Sequence, residues 1–340
     1  MRPPRFAIRG LPAAALLATS ALLAACTTPA DKAASDAAAP NGTSPAVAAT
    51  EGYLPVPGGR VWYRRMGGGP GIPLLAVHGG PGGTSCRFAA LAPLADERPV
   101  IYYDQLGSGR SDHPSDTTLW TVARFVDELE AVRRGLGLDS LVLLGHSWGG
   151  ALVAEYLLTA PRPAVRAVVL SSPLLSTPRW IADANALRAA MPVPLRDALD
   201  RHERAGTTDH PEYLAATDSF YARHVSRLAT PPEPGCAGVA GNDTIYRQMW
   251  GPTEFRSTGS LRTWDRAADL ATLAIPALLV AGEFDEARPA TLAEFAATMP
   301  NARVVTIPGA AHGTYREKPA EYQGDVRQFL RTVEAPAAPR

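Results

Sequence analysis

Short, almost continuously apolar runs recur along the chain and stop at glycine-bearing polar turns. Residues 73–77, 99–103, 141–144, 165–170, 276–281 and 303–307 follow this pattern. Runs of this length, rich in Val, Leu and Ile, are the signature of strands buried on both faces. Helical spacing fills the gaps between them. Val122, Phe125, Val126, Leu129 and Val132 fall on one face of a helix predicted over 118–136, which Gly135 and Gly137 close. Further helices are predicted for the Ala- and Leu-rich run after Gly149, for 290–299 and for 319–333. Ahead of them, residues 52–66 alternate around Gly58 and Gly59, which predicts a hairpin of 53–57 with 60–65. Strands that alternate with helices imply a mostly parallel central sheet with helices on both faces.

The alternation fails in two places. From 174 to 270 there is little strand signal, but helical spacing and many aromatics, among them Trp180, Tyr213, Phe220, Trp250 and Phe255. This stretch is expected to be a helical cap inserted between core segments 51–173 and 271–335. The second break is the first 50 residues. Arg2, Arg5 and Arg9 precede an apolar run over 11–25 that is short for a membrane span. Residues 1–25 therefore read as a targeting segment. The run ends in Leu23, Ala24, Ala25 and Cys26, which resembles the lipobox of bacterial lipoproteins. That resemblance implies lipidation of Cys26 and a chain exported to the cell envelope. With Thr27 next, the expected place is the periplasmic face of the outer membrane in a cell with two membranes. Residues 26–50, rich in Ala, Pro, Ser and Thr, read as a disordered tether.

Charge excludes one class of partner. The 33 basic and 33 acidic residues balance, and without the three leader arginines 30 basic face 33 acidic. Nothing in this balance points to nucleic acid. Export permits a disulfide between Cys86 and Cys236. Two buried thiols are the alternative, and sequence alone leaves both open.

Candidate chemistry centres on Gly145, His146, Ser147, Trp148 and Gly149, a G-x-S-x-G turn with a strand before it and a helix after it. A sharp strand-to-helix turn holds the serine hydroxyl clear of the sheet edge, and glycines allow the close approach. The Trp148 N–H at the helix start can stabilise a developing oxyanion. The loop His78-Gly-Gly-Pro-Gly-Gly83, directly after a strand, offers a second donor at Gly80. Serine needs a base. Of the histidines at 78, 113, 146, 202, 210, 224 and 312, only His312 lies in a Gly-bearing turn just past the last strand. Glu283, Asp285 and Glu286 stand at the end of the preceding strand. Asp285 is the expected partner of His312, and its neighbours read as solvated loop charge. The order Ser147, Asp285, His312 is that of the α/β-hydrolase fold. Asp104, Arg110 and Asp112 read as braces of a turn near the site. No cofactor or metal is expected, since no H-E-x-x-H motif occurs and a Walker loop is absent.

Taken together, the 78–83 loop, the segment Asp104-Gln-Leu-Gly-Ser-Gly-Arg-Ser-Asp112, the serine turn, Gly282-Glu-Phe-Asp285 and the His312 turn resemble the proline iminopeptidase family of serine peptidases over about residues 52–333. Trp250-Gly-Pro-Thr-Glu254-Phe255 is similar to a Gly-Pro-Ser-Glu-Phe segment of its branch with tricorn-interacting aminopeptidases and amino-acid amidases, with Thr253 in place of serine. The resemblance implies an α/β-hydrolase fold with a cap, and Glu254 as the receptor of a substrate's free α-amine. Glu212 is a looser second candidate for that role. The implied reaction is release of an N-terminal residue, proline or another small apolar one, from a short peptide or aminoacyl amide. An esterase or lactonase on the same machinery is the alternative, separated by dependence on the free amine.

Overall fold

The computed structural model describes residues 48–230 and 235–335. The leader, Cys26, tether residues 27–47 and the Pro-rich stretch 231–234 lie outside the described residues, and the last tether residues, Ala49 and Thr50, are instead ordered as the start of the first strand, opposite Met66 and Arg65. Among the described residues no helix is long and apolar enough to cross a membrane. A disulfide joins Cys86 to Cys236, with Cα atoms 5.7 Å apart across 150 positions of sequence.

Eight strands form one sheet in the order β1-β2-β4-β3-β5-β6-β7-β8. The hairpin is β1 (Ala49–Val56) and β2 (Gly59–Met66), in register from Ala49 opposite Met66 to Val56 opposite Gly59. It joins β4 (Val100–Tyr103) antiparallel. From β4 onward every pairing is parallel, through β3 (Leu74–Val77), β5 (Leu141–His146), β6 (Val165–Ser171), β7 (Ala277–Gly282) and β8 (Ala302–Ile307). The strands expected from their apolar runs are all present, with ends shifted by a residue or two.

Alternate residues of these strands feed two cores. Leu75, Val77, Ile101, Tyr103 and Leu143 face one side of the sheet, with α1 (Val122–Gly135), α2 (Trp148–Thr159) and later α7 (Pro289–Thr298) over them. Leu74, Ala76, Val100, Tyr102, Val142 and Leu144 face the other, under a run of 3-10 turns from Ser85 to Asp96 and the last helix, α9 (Pro319–Glu334). Helices on both faces are why the strands carry no polar alternation. Thr121 caps α1 by accepting from the Arg124 N–H, so this helix starts later than its apolar spacing suggests. The 3-10 run is not legible in the sequence, because Pro93 and its mixed composition give no helical period.

Between β6 and β7 lie α3 (Thr177–Ala189), α4 (Val193–Ala205), α5 (Pro211–His224) and α6 (Asp243–Met249). Ala184, Leu199, Tyr213, Phe220 and Phe255 give them a small core of their own. The C-terminal end of α5 is tied to the sheet edge. The His224 carbonyl accepts the N–H groups of Glu286 at 3.2 Å and His312 at 3.3 Å. A short helix, α8 (Thr314–Glu317), follows the His312 turn.

Candidate active site

Ser147 stands alone between β5 and α2, with φ 56° and ψ −121°. A side chain in this region is strained and persists only where its surroundings fix it. Tight packing supplies that constraint. A Cβ on Gly149 would lie 2.0 Å from the Val77 carbonyl oxygen, so only glycine lets α2 approach β3. The Ser147 N–H donates to the Ser171 carbonyl at 3.1 Å, and its own carbonyl accepts from Gly150 at 2.8 Å. The residue lines a cavity of about 650 Å³ together with Gly80, Glu254, His312 and Arg87.

His312 follows β8 through a tight turn, and its Nδ1–H donates to Asp285 Oδ1 at 2.9 Å. Asp285 follows β7 and is buried. It also accepts from the Ala287 N–H at 2.9 Å, the Gly282 N–H at 3.2 Å and the Ser172 hydroxyl at 2.6 Å. Three N–H donors and the Ser172 hydroxyl surround its two oxygens, a set suited to a carboxylate. Nδ1 of His312 is thereby fixed as the protonated nitrogen, and Nε2 is left to act as base. The Ser147 hydroxyl and His312 share the cavity without a direct hydrogen bond between them, a contact that commonly tightens when substrate binds. His146 Nε2–H donates to the His312 carbonyl at 3.0 Å. Burial holds the His146 pKa well below its ordinary value, so this neighbour is a neutral strut.

The second wall is the loop after β3. A Cβ on Gly79 would sit 2.9 Å from Ser147 Cβ, so the loop touches the serine turn. The N–H groups of Gly80 and Trp148 have no acceptor among the described residues, and Trp148 opens α2, where helices leave donors free. One residue clamps both. Gln105 donates from Nε2 to the His78 carbonyl at 2.8 Å and from its N–H to His78 Nε2 at 3.0 Å. Its Oε1 accepts from Trp148 Nε1 at 3.0 Å. Burial lowers the His78 pKa, and the neutral ring donates from Nδ1 to the Gly79 carbonyl at 2.8 Å. Gln105 lies inside the segment read as a brace, yet nothing in its spacing singles it out. Asp104, beside it, accepts from the Ser85 N–H, the Ser85 hydroxyl and the Arg110 N–H. Asp112 pairs with Arg60.

Two carboxylates stand next to the triad. Glu254 lines the cavity, and its Oε1 accepts from the Tyr246 hydroxyl at 2.8 Å. Glu286 is buried, and neither of its oxygens has a hydrogen-bond partner among the described residues. Its Oε1 lies 3.9 Å from His312 Nε2. Burial raises the pKa of both acids, and the charges of Glu254 and Asp285 add to the rise at Glu286, which is pushed well above the ordinary range. Reading Glu286 as solvated loop charge is therefore corrected. The end of α5 covers it, an effect of the cap that local sequence does not carry. Glu212 is corrected in the other direction. It sits at the exposed start of α5, bonded to Arg201 at 2.5 Å and to His202 at 3.2 Å, and it is not part of the cavity. With His202 and His210 it forms a group whose ligand atoms lie within 4.8 Å of one another and are able to hold a metal ion, but that group belongs to the cap surface and not to the triad.

A stability consequence follows from Glu286. An unfolded chain gives it an ordinary carboxyl pKa, and the fold raises it, so between the two values the native state binds the extra proton. The neutral acid is tolerated at low pH, and stability falls as pH climbs through the raised native pKa. Glu286→Gln removes the charge. The variant is expected to melt at a higher temperature than the wild type at about pH 8, with the gap closing towards about pH 4. A thermal melt series that shows no difference at either pH would refute a strained, unpaired carboxylate.

An elbow serine between strand and helix, an acid after β7 and a histidine after β8 of a mostly parallel sheet define an α/β-hydrolase. The profile of the alpha/beta hydrolase fold matches residues 72–319. The chain is 41% identical over 287 residues to the proline iminopeptidase of Heyndrickxia coagulans, covering 84% of this chain and 99% of that one. It is 33% identical to the proline iminopeptidase of Saccharolobus solfataricus, covering 83% and 93%. The crystal structure of the Mycobacterium smegmatis proline iminopeptidase superposes with a TM-score of 0.76 at 37% identity, covering 84% and 98%. The chain belongs to the proline iminopeptidase family of α/β-hydrolases.

Proposed function

We propose that this chain is a serine exopeptidase that releases N-terminal proline, or another small apolar residue, from short peptides or aminoacyl amides. The observation that carries the reading is a pair of acids near His312, half-buried Glu254 on the cavity wall and fully buried Glu286, with both oxygens of Glu286 unpartnered among the described residues. Two such carboxylates held away from water are unfavourable unless a positive charge joins them. A substrate's α-ammonium is such a charge. It lies two bonds from the carbonyl carbon under attack, about 2.5 Å away, so its receptor must adjoin the triad. An ester or lactone substrate without an amine leaves the pair uncompensated. Trp180, whose ring centroid is 5.6 Å from that of His312, packs as an apolar neighbour of the triad.

Ser147 Oγ attacks the carbonyl carbon as His312 Nε2 takes its proton, and Asp285 stabilises the imidazolium. The tetrahedral oxyanion rests on the N–H groups of Gly80 and Trp148, each worth roughly 3 kcal/mol of barrier. Collapse breaks the C–N bond, and His312 returns the proton to the leaving amine. Water, deprotonated by the same histidine, then attacks the ester at Ser147. The free amino acid departs, and the serine regains its proton. No step needs a metal or cofactor.

L-prolyl-β-naphthylamide is expected to be hydrolysed and its N-acetyl derivative to react at least about 100-fold more slowly, the scale set by a buried charge left unpaired. Glu254→Gln is expected to raise KM for the free amine and to leave the slow rate on the blocked substrate little changed. Equal rates on both substrates in the wild type would favour the esterase reading.

A further inference from the structure

The cavity wall carries both signs of charge. It includes Glu254 and His312, and Glu286 lies 3.9 Å from His312 Nε2. Arg87 lies on the same wall and is exposed to solvent. Among the described residues Arg87 has no ion pair and no hydrogen bond. It is close enough for its charge to pull against the rise in the Glu254 pKa. Its backbone is fixed, because the adjacent Cys86 is bridged to Cys236, a residue of the same cavity wall.

On the reading above, the ammonium of a bound substrate sits at the acids and the scissile carbonyl at Ser147. The leaving residue then extends away from the acids. The two residues of a dipeptide span about 7 Å at most, so its far carboxylate falls within the same cavity. We propose that Arg87 receives this C-terminal carboxylate, so that free dipeptides with an N-terminal proline are preferred over longer or C-terminally blocked substrates. The guanidinium fork matches a carboxylate in two parallel hydrogen bonds. An ammonium with a carboxylate on the following residue is the charge pattern complementary to a cavity wall that carries both acids and an arginine.

The inference rests on the exopeptidase reading, and its test keeps the two apart. L-prolyl-L-alanine and L-prolyl-L-alaninamide have the same N-terminal residue and differ only in the far charge. Wild-type kcat/KM is expected to favour the acid by roughly 2- to 5-fold at low salt, the range of one partly exposed ion pair. The preference should shrink in about 0.5 M NaCl as screening shortens the reach of the charge. In Arg87→Gln the ratio should fall to about one, and Arg87→Lys should restore part of it. A wild-type ratio of one or below overturns the proposal, as does a ratio that Arg87→Gln leaves unchanged. Should Arg87→Gln fail to fold, the wild-type ratio and its salt dependence decide by themselves. An enzyme that cleaves neither dipeptide nor L-prolyl-β-naphthylamide overturns the exopeptidase reading itself.

Discussion

Ser147→Ala is expected to lower kcat on L-prolyl-β-naphthylamide by about 10⁶-fold, roughly 8 kcal/mol of barrier, and to abolish labelling by a fluorophosphonate. The size of the effect follows from how the site works as a unit. Without Oγ there is no acyl-enzyme, so the base at His312 has no hydroxyl to deprotonate and the oxyanion donors have no tetrahedral centre to hold. The fold should survive. The strain at φ 56° belongs to the backbone and is fixed by Gly149 and the β5–α2 turn, and alanine keeps the same Cβ. Unchanged melting with lost turnover is the expected pair of results. If the wild-type protein resists the probe while folded, the scaffold is a binding protein and the hydrolytic reading fails.

Asp285→Asn is expected to lower kcat/KM by about 10⁴-fold. All four groups around the carboxylate are donors: His312 Nδ1–H, the Ala287 N–H, the Gly282 N–H and the Ser172 hydroxyl. An amide has one oxygen, so its NH₂ must face two of them. Turned towards His312, it forces Nδ1 to accept and puts the proton on Nε2, where it faces the cavity and cannot take one from serine. Turned the other way, it opposes the Gly282 N–H. Ser172 can adapt, because the His312 carbonyl lies 3.2 Å from its hydroxyl. Either arrangement disfavours the productive tautomer. The check is steady-state kinetics beside a thermal melt. A loss under ten-fold in a folded variant would make Asp285 a structural acid and would turn attention to Glu286 as the partner of His312.

Several elements of the site are legible in the amino-acid order. Gly145 and Gly149 around Ser147, with an apolar strand before and a helix after, mark the turn by a local pattern, although what requires Gly149 is the approach of the Val77 carbonyl. His312 and Asp285 stand out because each follows an apolar run that can only be a buried strand of a parallel sheet, and side chains past such strands meet at one edge. Gln105, Ser172 and Glu286 are not legible in this way. Gln105 and Ser172 act through hydrogen bonds to segments distant in sequence. Glu286 looks like any loop acid next to Asp285 until α5 closes over it. Glu212 shows the reverse error, a cap acid expected in the pocket that pairs instead with Arg201 and His202 on the surface.

The chain's residue order by itself determined the strands, the strained serine turn and the triad, because these depend on backbone period, glycine placement and chain order. The tertiary structure alone decided that Glu286 is buried beside His312 while Glu212 pairs with Arg201 and His202 on the cap surface, and that Cys86 bonds Cys236 across 150 positions. The reason is physical. The state of a carboxylate or a thiol depends on burial and on partners far away in the chain, and both are set only when the helices between β6 and β7 pack over the sheet edge.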